Sequence, residues 1–172
     1  LSKVLEHCIL NRYDCYFKSN DNQFGFKKGI GCSQAVYTVR SIVTRFIDGG
    51  STVNLCALDL SKAFDKVNHH ALYIKLMKRR LPLELLDLLI YWLDNCSSCV
   101  KWNGKLSQFF ILNFGVRQGS ILSPFLFAIY LDDIYDYRFN NMFSFIILYA
   151  DDIMLLAQSV SELQSIILEA CE

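Results

Sequence analysis

Three things are scarce in this chain. Only two prolines, Pro82 and Pro124, occur in 172 residues. Each precedes an apolar run, as a helix-opening proline does, so there is no proline-rich linker or polyproline ligand. Charge of one sign is the second absence: 17 Lys and Arg balance 17 Asp and Glu. A strongly basic chain would imply nucleic acid by its overall field. Here such contact has to come from local patches, "KLMKRR" (Lys75 to Arg80) and "FKKG" (Phe26 to Gly29), for which solvated helix and loop ends are the more ordinary reading. The third absence is a long apolar run. None reaches the roughly 18–20 residues a membrane helix needs, and the most apolar stretch, "FSFIILYADDIMLLA", is interrupted by Asp151 and Asp152. No membrane is expected. Glu6, Arg12 and Asp14 also stand where a secretory signal would keep a clean apolar core. The seven cysteines are odd in number, and only Cys96 and Cys99 have CxxC spacing. No second pair completes a zinc site, so free thiols in a reducing compartment are expected. The first residue is Leu1 rather than Met, and the sequence is expected to begin partway through a longer product.

What is abundant is core-forming material. The chain is 53% hydrophobic and 14% aromatic, enough for one ordinary domain, or one domain and part of another. Periodicity predicts a helix from Leu1 to about Phe17, with Val4, Leu5, Cys8 and Ile9 on its apolar face. A loop rich in Asn and Gly follows. A second helix is capped by Ser33, presents Val36, Val39, Val43 and Phe46, and ends at Gly49-Gly50. "TVNLCALDL" (Thr52 to Leu60) reads as a strand so apolar that it is expected at the centre of a sheet, with Asp59 at its end. Two helices come next, one capped by Asn68 and one opened by Pro82. Asn103-Gly104 then marks a hairpin. Another helix, Ser123 to Asp136, has Pro124 in its first turn. "FSFIILYADDIMLLAQ" reads as two strands with the acids at the bend. Ser159 and Glu162 form a capping box for a last helix with Val160, Leu163, Ile166, Ile167 and Ala170 on one face. Helices interleaved with strands predict an α+β fold, an antiparallel sheet with helices on one side.

An unpaired carboxylate in apolar surroundings costs several kcal/mol, about what a lost charge pair costs. At a hairpin tip, however, acids sit on the rim of the sheet, and a divalent cation there would neutralise them. A third acid from a neighbouring strand is expected, and Asp59 is placed for it. Such a set suits nucleotidyl transfer, in which two Mg²⁺ about 3.5–4 Å apart bridge the attacking and leaving oxygens. The competing reading of adjacent acids at a turn is a surface turn. Apolar flanks on both sides and the matched Asp59 favour the site.

Four blocks then carry a resemblance: "QFGFKKGIGCSQAV", "ALDLSKAFDKVNHHAL", "GVRQGSILSPFLFAIYLDDI" and "YADDIMLLA". In this order and spacing, over nearly the whole chain, the sequence resembles the reverse transcriptase of non-long-terminal-repeat (LINE-type, jockey/chicken-repeat-like) retrotransposons. The resemblance implies a right-hand polymerase palm, ferredoxin-like, with part of the fingers. Residues 1–50 would be partial fingers and the fingers–palm connection. Residues 51–172 would be palm with the catalytic motifs, without a thumb. It implies that Asp59 and Asp151 bind metal, that Asp152 is the third acid with a looser hold, and that the cofactor is a pair of Mg²⁺ ions, with Mn²⁺ a possible substitute.

Phe64 falls at the family's aromatic gate against the 2′-OH, the handle that separates the two sugars. Its plainer reading is core packing. The backbone N–H groups of Leu60 to Ala63 would line the triphosphate. Gln118 and Gly119 match the block that contacts nucleotide and template, Arg117 stands where it can meet a phosphate, and Tyr149 would lie beside the primer end. Gln23, Phe24 and Gly25 match a block joining fingers to palm. Lys27 and Lys28 stand where relatives often carry Arg, which keeps charge and loses the bidentate fork. His69 and His70 are read as capping or packing. The implied partners are an RNA template, a DNA primer and deoxynucleoside triphosphates, with missing fingers, thumb and endonuclease regions of the same polyprotein. The family's habit of priming on chromosomal DNA implies the nucleus.

Three readings stay open. One is an RNA-directed DNA polymerase, present as a piece of a larger enzyme. Another is a group II intron-type or retron reverse transcriptase on a similar palm. The third is an inactive or domesticated fragment that binds nucleic acid without catalysis. Sequence on either side of the chain separates the first two, and primer extension separates both from the last.

Overall fold

A computed structural model describes residues 2–135 and 144–170. In chain order the elements are α1 (Ser2–Tyr13), α2 (Cys32–Asp48), β1 (Asn54–Asp59), α3 (His69–Lys78), α4 (Leu83–Asp94), β2 (Ser97–Ser98), β3 (Lys101–Trp102), β4 (Lys105–Leu106), β5 (Phe110–Ile111), α5 (Ser123–Leu131), β6 (Ser144–Tyr149), β7 (Asp152–Ala157) and α6 (Val160–Ala170). Short 3-10 turns occupy Asp14–Tyr16, Ala63–Lys66 and Asp132–Tyr135. The fold is α+β, as expected. Asp136 and Phe143, which end an expected helix and begin an expected strand, lie outside the described residues. Two compact units emerge: Leu1–Lys18 with Lys62–Tyr130, and Ser19–Ser61 with Leu131–Glu172. Each is assembled from separate stretches of sequence.

In the first unit the caps follow the sequence. Asn68 Oδ1 accepts from Ala71 N at 3.1 Å to open α3, and Pro82 stands at the N-cap of α4. Leu72, Leu76, Leu89 and Phe127 are fully buried, each contributing about 1.5–3 kcal/mol by leaving water. Asn103 and Gly104 join β3 to β4 with φ of 46° and 79°, the doubly left-handed loop that Asn-Gly favours.

Helix α1 corrects an expectation. Val4, Leu5 and Cys8 are exposed, and the residues it buries are Ile9 and Glu6. The helix is turned by a carboxylate whose burial is compensated by three hydrogen bonds. Half of the basic patch is likewise used internally: Lys75 Nζ reaches the Tyr130 carbonyl, and Arg79 donates to the carbonyls of Tyr16 and Lys18.

In the second unit a three-stranded antiparallel sheet runs β1-β7-β6. The expected central strand, β1, is therefore an edge strand among the described residues. Its residues alternate, with Asn54, Cys56 and Leu58 half-buried and Leu55, Ala57 and Asp59 exposed. The centre belongs to β7, where Ile153, Leu155, Leu156 and Ala157 are all buried. Buried residues of both parities need cover on both faces. Helix α6 supplies one, with Leu163, Ile166 and Ile167 against Ile146, Leu148, Ile153 and Leu155. Helix α2 supplies the other, with Ala35, Val39, Ile42 and Val43 against Ile147, Leu156, Phe145 and Met154. Helices thus stand on both sides of the sheet rather than on one.

The start of α2 also differs. Gly31, not Ser33, is its N-cap, and Gln34 Oε1 accepts from Gly31 N at 2.9 Å. Ala35 replaces the exposed Val36 on the packed face. At α6 the reciprocal cap is present: Glu162 Oε2 accepts from Ser159 N, and Ser159 Oγ from Glu162 N, both at 3.2 Å. Val160 is exposed, and the side chain of Ala170 lies outside those described.

Candidate active site

The three carboxylates all belong to the second unit. Asp59, the last residue of β1, is the register partner of Asp152, the first residue of β7. Directly opposed residues of an antiparallel pair project to the same face. Asp152 also pairs with Tyr149 at the end of β6, so Ala150 and Asp151 form a two-residue hairpin loop, and Asp151 stands one position from the Asp59–Asp152 pair. Asp59 and Asp152 are exposed and Asp151 half-buried. No hydrogen bond or ion pair engages any of the three carboxylates among the described residues. Like charges directly opposed across strands are destabilising. Nor do three or more His, Cys, Asp or Glu side chains among the described residues enclose a metal ion. The donor set is an open shelf of hard oxygens. It fits Mg²⁺, which keeps several waters and takes few protein ligands besides substrate phosphates, better than a closed zinc or calcium cage.

The loop carrying Asp151 is held from beneath. Ala150 has φ of +57°, a left-handed conformation that costs a non-glycine residue about 1–2 kcal/mol. Residues 22–24 lie along the free edge of β6, through Leu148 N to Asn22 O at 2.9 Å and Phe24 N to Leu148 O at 2.8 Å. This brings Gly25 under the loop, where an added Cβ would meet Ala150 N at 2.4 Å. Only glycine permits that approach. Tyr149 is half-buried beside Phe24 in the cluster facing α2. Lys27 Nζ donates to Asn20 O at 2.6 Å and lies 3.9 Å from Asp21, so its charge is already engaged.

Phe64, Arg117, Gln118 and Gly119 belong to the first unit. Phe64 sits on the 3-10 turn after Lys62, half-buried, with its ring stacked on Phe127 at 4.7 Å and 19°. Val116 N donates to Phe64 O and Gly115 N to Val67 O, both at 2.8 Å, which ties the second and third sequence blocks together. Gly115, φ +86°, has no room for a Cβ against the Asp65 carbonyl at 2.9 Å. His69 is buried and its Nε2 donates to Gly115 O at 2.7 Å, the packing role expected of it. Gln118 Nε2 reaches Asp65 Oδ1 at 3.4 Å, and Arg117 Nη2 lies 3.6 Å from Cys96 Sγ. Arg117, Gln118 and Gly119 are exposed. Arg117 and Gln118 line a cavity of about 650 Å³ with Asp65, Trp92, Cys96 and Phe114.

Sequence reasoning read Glu6 only as a charge in a helix and Gln23 only as part of a block joining fingers to palm. Yet Glu6 Oε2 accepts from the Ser120 hydroxyl at 2.6 Å, Ile121 N at 2.5 Å and Leu122 N at 3.1 Å, fixing the loop between Gly119 and α5. Burial pushes its carboxyl up, but the Ser120 hydroxyl, the Leu122 and Ile121 N–H groups and the Arg117 charge outweigh this. The result lies below the ordinary 4.5. The available signal was an acid inside the first apolar helix with no cation at helical spacing toward its C-terminus: positions 9 and 10 are Ile and Leu.

A family model described as reverse transcriptase (RNA-dependent DNA polymerase) matches residues 1–171. The probable RNA-directed DNA polymerase from transposon BS of Drosophila melanogaster is 29% identical over 167 residues, covering 92% of this chain and 18% of that protein. The probable RNA-directed DNA polymerase from transposon X-element, from the same fly, is 30% identical over 137 residues, 77% of this chain and 15% of that protein. The RNA-directed DNA polymerase from mobile element jockey of Drosophila melanogaster is 29% identical over 94% of this chain and 18% of its own length. The chain thus spans under a fifth of these relatives. Among solved structures, apo telomerase from Candida tropicalis matches with a TM-score of 0.65 at 14% identity, over 98% of this chain and 32% of that one, a likeness of fold.

Proposed function

The chain belongs to the reverse transcriptase (RNA-dependent DNA polymerase) family, and on that premise we propose that it is the catalytic palm portion, with part of the fingers, of an RNA-directed DNA polymerase from a non-LTR retrotransposon. The observation that carries the reading is the second unit's sheet end, where Asp59, Asp151 and Asp152 gather on adjoining strand ends and, among the described residues, no ion pair engages them. Asp59 and Asp151 would hold two Mg²⁺, or Mn²⁺ in their place, with Asp152 adding charge beside them. When bound, such ions activate the primer 3′-OH and neutralise charge on the leaving pyrophosphate.

What the chain's own residues contribute is placement and charge. Positioning and preorganised electrostatics supply most of the acceleration in transfers of this kind. Phe64, fixed in plane by the Phe127 stack, tests the sugar for a 2′-OH. Gln118 offers an amide to base or sugar, Gly119 at φ +79° offers backbone, Arg117 meets phosphate and Tyr149 supports the primer end. The partners are an RNA template, a DNA primer and deoxynucleoside triphosphates, with the polyprotein's other regions supplying thumb and remaining fingers. The compartment is the nucleus. The test is primer extension on an RNA template with Mg²⁺ and deoxynucleotides, comparing this chain with Asp151→Ala. Extension by the first alone supports the reading. Extension by both removes Asp151 from the chemistry. Extension by neither calls for the same pair in the longer protein.

A further inference from the structure

Gln23 is 1% exposed and has no part in the chemistry proposed above, yet every polar atom of its side chain is used on the loop that carries Asp151. Its Oε1 accepts from Gly25 N at 2.8 Å and from Ala150 N at 3.0 Å, and its Nε2 donates to Ala150 O at 3.2 Å. Both backbone polar groups of Ala150 are therefore tied to one amide. The task is selective: an ionised Glu accepts but cannot donate, a Lys donates but cannot accept, and Asn is one methylene shorter. It is also needed, because Ala150 is held at φ +57° without the conformational freedom of glycine. An alanine turn in that region persists only when its surroundings over-determine it. Gln23 from one side and the close-packed Gly25 backbone from beneath do so here.

We infer that Gln23 is the positioning residue of the Ala150-Asp151 turn. It holds the peptide preceding Asp151 in a single conformation, and so fixes where that carboxylate starts from, without touching substrate. The functional half of this inference rests on the reading of Asp151 as a metal-binding acid. The structural half does not.

The test has two arms. In the first, amide hydrogen exchange is followed by NMR on the chain without metal or nucleic acid. Gln23→Met keeps length and removes both hydrogen-bonding functions. The Ala150 amide is expected to exchange at least about tenfold faster, the factor for losing a hydrogen bond of roughly ordinary net strength, while Leu148 and Phe24 stay protected. Unchanged Ala150 exchange with Leu148 protected overturns the inference. Should Gln23→Met strip Leu148 as well, Gln23→Glu decides. Its ionised carboxylate still accepts from Ala150 N but repels Ala150 O instead of donating to it, which loosens the turn. Ala150 protection should therefore be below that of the unsubstituted chain at neutral pH and should recover as falling pH protonates the carboxyl. Absence of recovery with Leu148 protected overturns the inference.

In the second arm, Gln23→Met in the polymerase should lower kcat at least about tenfold with the deoxynucleotide KM within about twofold, the pattern of a displaced catalytic group rather than lost substrate binding. A loosened turn with unchanged kcat overturns the positioning role. A loosened turn in a protein whose Asp59→Asn and Asp151→Asn variants still extend primers sinks the metal reading and leaves the structural half standing.

Discussion

Three acids at adjoining strand ends repel one another, and that repulsion separates a functional role from a structural one. If Asp59 and Asp152 were kept for stability, neutralising either would weaken the fold. Opposed like charges across a strand pair instead destabilise by about 0.2–1 kcal/mol. Asp152→Asn in metal-free protein should therefore raise Tm slightly, and a fall in Tm would show an unrecognised structural contact. The same residues should be indispensable to synthesis. Asp59→Asn or Asp151→Asn in the polymerase is expected to cut primer extension by at least about 10²–10³-fold, the scale of losing one preorganised electrostatic group. Near-normal rates would remove the metal assignment. Phe64 poses the complementary question, since its Phe127 stack serves both core packing and a rigid gate. Phe64→Val should admit ribonucleotides. If sugar discrimination is unchanged while Tm drops, Phe64 is core alone.

At the scale of elements, two segments far from the acids in sequence hold the loops that matter. Residues 22–25 brace the β6–β7 turn, and α1 reaches the loop before α5 through Glu6. The second predicts a pH dependence. Because the folded carboxyl of Glu6 lies below its ordinary 4.5, the stabilisation it gives is fully present above that value and lost as pH falls through the lower folded one. Glu6→Gln should cost about 1–3 kcal/mol at pH 7, the range for a hydrogen-bonded buried charge. The deficit should shrink under strong acid, and an equal deficit at all pH values would assign the loss to packing.

These braces also mark where sequence reading stops. Caps and turns were legible because their chemistry is local: Asn68, Pro82, Asn103-Gly104 and the Ser159–Glu162 box each act within a few residues. The acids at the bend were legible because apolar flanks isolate them. The edge position of β1 was not, since an apolar strand looks the same at edge and centre until its neighbours are known. Neither were Glu6 and Gln23, whose partners lie 114 to 127 residues away. The resemblance named the blocks, but only the hydrogen bonds show which block carries which.

For the whole molecule the balance of charge becomes an experimental advantage. With 17 basic and 17 acidic residues, salt has little net repulsion to screen, so a stabilising effect of a divalent cation is read as site binding rather than as general screening. A ligand that binds only the folded state stabilises it by RT ln(1 + [L]/Kd), about 2.7 kcal/mol at a hundredfold excess over Kd. Mg²⁺ or Mn²⁺ should therefore raise Tm progressively with concentration, while NaCl at matched ionic strength should not. The Asp59→Asn/Asp151→Asn double variant should lose that dependence while starting from an equal or higher metal-free Tm, because the repulsion is gone. An equal rise in the double variant would place the cation elsewhere on the chain. No rise in either, with primer extension intact, would mean that the ions bind only once substrate phosphates complete their coordination, as expected of an open carboxylate shelf around an ion that keeps its waters.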